Sequence, residues 1–202
     1  MTIDSSVLKL SLRVVIIWIV LSILVLLAGE MIVSILLPYF QALMNAFIGS
    51  YTSVLNIIDE GNSKMIQTTS TLTQAVYLQG YPVAPEGMEL KASTSLAHSY
   101  VPIVILYTAL LAMPVKNSRE RVLLVLLGVP FMLIILGLIV PPLLAGHMAS
   151  AFLQAAESNA GHMLDVPFVM QWVLFAETGG RWLFPVVAAF LCKLISARMI
   201  AG

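Results

Sequence analysis

Residues 14–38 read VVIIWIVLSILVLLAGEMIVSILLP, and this stretch decides the class of the fold. It is 25 residues long and Glu30 is its one charge. At ~1.5 Å per residue, a helix of that length crosses a ~30 Å hydrocarbon core with some to spare. Lys9 and Arg13 precede it, as basic residues precede a signal peptide. A signal peptide's apolar core, however, runs only ~7–15 residues. Leu26-Leu27-Ala28-Gly29-Glu30 also lacks a small-x-small cleavage pair. The stretch is expected to remain in the protein as an anchor.

Composition agrees with this reading. Of 202 residues, 60% are hydrophobic and 10% are charged, whereas soluble domains carry ~25% charged residues. Lipid can solvate so apolar a surface; water cannot. Ten bases balance ten acids, so no net field favours nucleic acid. The single cysteine, Cys192, excludes an internal disulfide and a cysteine-rich metal site.

Working outward from the first run, three more apolar segments follow. Residues 96–114 open with Pro102 in a tolerated early-turn position. Residues 122–144 carry Pro130 as a kink and Pro141-Pro142 as an outer end. Residues 179–200 have Pro185 near their start. The expected fold is therefore a mainly α membrane protein: four transmembrane helices with a small β-rich extracytoplasmic segment between the first and second. The bases set the direction. Lys9 and Arg13 lie in the N-terminal segment 1–13, Lys116, Arg119 and Arg121 in the connection 115–121, and Lys193 and Arg198 at the end of the last span. With four spans, all three groups fall on one side. Both termini are then cytoplasmic, and residues 39–95 and 145–178 lie outside.

The first outer segment changes character along its length. Residues 41–50 extend the first helix as a stub. Residues 65–71, 73–78 and 88–92 read as short strands, with Asp59-Glu60-Gly61-Asn62 as a turn and 81–87 as a loop. In the second, residues 145–165 contain an amphipathic helix, with Met148, Phe152 and Leu153 on the apolar side, ended by Ser158-Asn159-Ala160-Gly161. Residues 166–176 are too short to span and are expected at the interface or packed against the spans, a depth that suits Trp172 and Trp182.

Glu30 is the most unusual residue. It stands 17 positions beyond Arg13, so ~25 Å higher on a straight helix. Arg181 stands 17 positions before Arg198 and reaches the same depth, and His98 opens the second span there. Glu30, His98 and Arg181 are therefore the candidate outer polar cluster. No catalytic, cofactor-binding or metal-ligating residue is assigned. Ser95 and Ser99 flank His98, but helix neighbours alone build no nucleophile–base geometry. His147, His162 and Asp165 match no compact ligand spacing. Cys192 beside Lys193 reads as a structural thiol, and no cofactor is expected. A transport role has thin support, because the second and third spans carry almost no polar groups.

An N-terminal anchor is followed by an outer β segment, then Met88-Glu89-Leu90-Lys91-Ala92-Ser93-Thr94-Ser95-Leu96 running straight into a span, then a basic loop and two more spans. This order resembles the exosortase H-associated membrane protein family, over nearly the whole chain as architecture and over residues 88–121 as local pattern. Exosortases are bacterial membrane transpeptidases that use an outward-facing cysteine with arginine and histidine. Cys192 sits at the cytoplasmic end of its span with other neighbours, so the resemblance implies an accessory protein and carries over no catalytic residue. It implies a bacterial inner-membrane location, a lipid bilayer around the chain and a membrane-protein partner, an exosortase among the candidates. The alternatives are a small subunit of a transport or energy-converting complex and an intramembrane enzyme.

Overall fold

The computed structural model describes residues 5–47, 49–61, 63–115 and 117–201. Helix α1 is Ser5–Phe47. Strands β1 (Tyr51–Glu60), β2 (Ser63–Leu72), β3 (Val76–Leu78), β4 (Tyr81–Ala84) and β5 (Glu89–Ser95) follow. The chain closes with α2 (Ala97–Ala112), α3 (Ser118–Ala160), α4 (Phe168–Phe175), a π-turn (Ala176–Gly180) and α5 (Arg181–Ala201). Three continuous helical stretches, Val7–Phe47, Ser118–Ala160 and Phe168–Ile200, are long and apolar enough to cross a membrane. The chain thus has the helical, apolar build of a membrane protein with a small antiparallel sheet.

The first helix runs past Pro38 to Phe47, in line with the expected stub at 41–50. Other boundaries differ from expectation, for a physical reason. Pro141-Pro142 do not end α3, which runs on through the expected amphipathic segment to Ala160. Proline at 142 removes the i+4 donor for the Leu138 carbonyl, and proline at 141 removes the i+3 alternative. Trp172 Nε1 donates to that carbonyl at 2.9 Å instead, so the helix survives the pair. Asn117 caps its start by accepting from the Glu120 N–H at 2.9 Å, and Gly161 ends it at φ 72°, as the Ser158–Gly161 reading expected. Residues 166–176 pack against α3, and α4 joins α5 through the π-turn to make one long stretch.

Helix α2 has 16 residues, so it measures ~24 Å. It packs against α1, α3 and α5, and no residue from His98 to Ala112 is exposed. That enclosure explains a sequence that is apolar on every face. Packing is close: a Cβ on Gly29 of α1 would stand 2.5 Å from the Tyr100 ring. At its C-terminal end, Arg121 donates to the Leu110 and Leu111 carbonyls at 2.9 and 2.7 Å. Arg13 donates to Leu111 at 3.0 Å. Lys193 donates to the Pro114 carbonyl at 3.0 Å and pairs with buried Glu120. Bases that the sequence placed together on one side converge here on carbonyls that a helix end leaves without partners.

The main sheet has the order β1-β2-β5, all antiparallel, with Tyr51 opposite Leu72 and Met65 opposite Ser95. Strands β3 and β4 form a separate pair at positions where the expectation was one longer strand and a loop. The alternation of β1 and β2 buries Leu55, Ile66 and Leu72 against Phe40 and Met44 of α1 and Leu144 and Met148 of α3. Between them runs a polar line: Ser53 and Ser70 hydroxyls meet at 2.7 Å, and Thr68 meets Ser70 at 3.2 Å. Both edges are covered. Asn45 Oδ1 accepts from the Ser53 N–H at 2.8 Å, and His147 Nδ1 donates to the Ser93 carbonyl at 2.9 Å. Edge strands treated in this way resist pairing with another chain.

Candidate functional site

Of the three residues singled out from the sequence, His98 and Arg181 stand at the starts of α2 and α5, and Glu30 lies within α1. Glu30 pairs with Lys64 of β2 rather than with Arg181. The hairpin makes this possible: β1 runs back along α1, turns at Gly61, and brings Lys64 down beside Glu30. Lys64 is raised above the ordinary lysine range, chiefly by its hydrogen bond to Glu30. Both side chains are about half exposed, so water screens the pair and its role is positional more than stabilising.

His98 is half-buried at the start of α2, where its Nδ1 meets the Thr94 hydroxyl at 2.8 Å. It lies within electrostatic reach of Arg181, Glu177 and His147. Arg181 begins α5 just after the π-turn. Its guanidinium carbon stands 5.7 Å from the Trp182 ring centroid, and its Nε is buried without a hydrogen-bond partner. Among the described residues Arg181 makes no ion pair. The π-turn is built around Gly179-Gly180 and braced by the Thr178 hydroxyl donating to the Leu174 carbonyl at 2.7 Å. Such turns locally re-aim side chains and recur at functional positions.

Below these three residues lies an apolar slot of ≈ 230 Å³ between α1 and α5, floored by α2. Trp18 and Leu26 form one wall, Val101 and Ile105 the floor, and Trp182 the other wall. Glu30 is one turn beyond Leu26, His98 follows slot-lining Ala97, and Arg181 precedes slot-lining Trp182. Each of the three thus neighbours a residue that lines the slot, and none of them lines it directly. Glu30 and Arg181 stand on its two sides.

The other residues weighed from sequence separate. Cys192 is fully buried against Leu106 and Leu110. His147 serves β5, His162 Nδ1 donates to the Ala160 carbonyl at 3.1 Å, and the Asp165 carbonyl accepts from Gln79 at 3.0 Å. No three His, Cys, Asp or Glu side chains gather for a metal among the described residues. Lys64 and Glu177 were not picked out from sequence. Only a hairpin register would have placed Lys64, and only the π-turn places Glu177. No family model, curated protein or solved structure matches the chain.

Proposed function

We propose that the chain is a non-enzymatic, four-span protein of the bacterial cytoplasmic membrane with both termini in the cytoplasm. It acts as an accessory or assembly subunit of an envelope protein-sorting or export system and works through its outer face. One observation carries this reading: a sheet with both edges covered is mounted on the ends of two 43-residue helices, leaving one face free. That face alternates out of the core as Thr52, Val54 and Asn56 on β1, Gln67, Thr69 and Thr71 on β2, and Lys91 on β5. It is mostly polar and joined to α1 and α3, which suits docking of another protein better than strand exchange. Counting α2 as a span rests on its depth. Arg13 reaches its last turn while Gly29, 16 residues along α1, packs on Tyr100 in its first.

A photoreactive residue at Thr69 tests the role. A discrete protein adduct is expected there, with lipid adducts alone at the highly exposed Leu27. No protein adduct at Thr69 in cells would refute a docking role for the sheet. In the same cells, a membrane-impermeant maleimide should label Thr52→Cys without lysis and Ser118→Cys only after permeabilisation. The reverse pattern would overturn the orientation.

A further inference from the structure

We infer that the slot between α1 and α5 is a site for one anionic phospholipid. An acyl chain lies on α2, and the headgroup phosphate meets Arg181. This rests on the membrane-spanning reading above and adds a ligand to it.

The slot walls repeat every turn on both helices: Trp18, Ser22 and Leu26 on α1, and Ala97, Val101 and Ile105 on α2. Eight residues on each helix correspond to a furrow ~12 Å long, parallel to the bundle axis. Its lining is almost wholly apolar, so water does not fill it favourably. Its lips, Trp18, Leu26 and Trp182, are exposed and continue into the apolar outer surface of α1 and α5. The bilayer that covers that surface therefore reaches into the furrow.

The charges at the mouth choose the headgroup. Glu30 is already neutralised by Lys64. Arg181 makes no ion pair among the described residues and has a buried Nε with no acceptor. Its guanidinium is held over the ring of Trp182, a residue that lines the slot. The terminal guanidinium nitrogens, which are not sealed off as Nε is, can donate to a phosphate, and the fork geometry of arginine favours two bonds to the same group. Glu177, one turn before Arg181, is the nearby carboxylate and makes no ion pair with it. A basic side chain above an apolar cleft between helices is a physical recipe for selective lipid retention.

The test uses the full chain reconstituted in vesicles with brominated-chain phosphatidylglycerol or brominated-chain phosphatidylcholine. The signal of Trp182 is isolated as the difference from the Trp182→Phe variant. Phosphatidylglycerol should quench Trp182 at about fivefold lower mole fraction than phosphatidylcholine. Arg181→Gln should bring the two curves together and Arg181→Lys should keep them apart. Val101→Phe, which fills the slot floor, should lower quenching by both lipids. Coincident curves for the unsubstituted chain would overturn the inference. So would full selectivity retained in Val101→Phe, which is readable even if Arg181→Gln does not fold. Quenching of no tryptophan by either lipid would instead defeat the membrane reading itself.

Discussion

Replacing Trp172 by phenylalanine tests how α3 passes through two consecutive prolines. The indole N–H is the donor to the Leu138 carbonyl, and neither residue 141 nor 142 can replace it. Phenylalanine preserves the ring contacts with Phe175 and Phe184, whose centroids lie 5.6 and 6.0 Å away. The loss is therefore mainly one carbonyl left without a donor in apolar surroundings, about 1–3 kcal/mol. Pro142→Ala returns a backbone N–H to that carbonyl. In the Pro142→Ala background, the same tryptophan change should cost only the small packing difference. The cycle should thus show a coupling of about 1–2 kcal/mol. Unfolding of purified protein in mild detergent by SDS titration, followed by far-ultraviolet circular dichroism, measures all four corners. An equal cost for Trp172→Phe in both backgrounds would refute the substitution of indole for backbone.

Two further predictions concern the ends of the molecule. Glu120→Leu strands Lys193, which is about one-third exposed, so the cost should be about 1–3 kcal/mol, below that of a fully buried broken pair. Glu120→Leu with Lys193→Met should recover part of that cost in the same titration, since Lys193 also donates to the Pro114 carbonyl. At the sheet, burial raises the Tyr51 hydroxyl well above its ordinary value of 10.0. The unfolded chain therefore releases this proton first. The stabilisation is complete below pH 10 and is lost as pH rises from there toward the folded-state value. Tyr51→Phe should flatten that alkaline decline in a pH series of thermal midpoints; an unchanged slope would assign it to other groups.

Hydropathy made the long helices legible, because lipid-facing and enclosed helices are both apolar along their whole length. It could not separate the two kinds. Residues 96–114 and 122–144 look alike in sequence, yet α2 is enclosed and α3 has one exposed face. Helix ends were misplaced wherever proline was taken as a stop, since the replacement donor, Trp172, lies 30 positions from Pro142. The β character of 51–95 was legible from its threonines and β-branched residues, and the turn near Gly61 from its polar cluster. The partner of Glu30 was not legible. Depth arithmetic along single helices located Glu30, His98 and Arg181, but Lys64 reaches Glu30 only through a hairpin register that side-chain alternation leaves open.

The enclosure of α2 also has a history in time. During synthesis α2 emerges when only α1 is available beside it, so Arg13 is the first cation that can reach its terminal carbonyls. Arg121 follows within a few residues, and Lys193 arrives only when the last helix is made. Until then the side of α2 that packs on α5 is uncovered. A chain that stops before α5 is consequently an unfinished bundle. The last helix therefore completes the enclosure of α2.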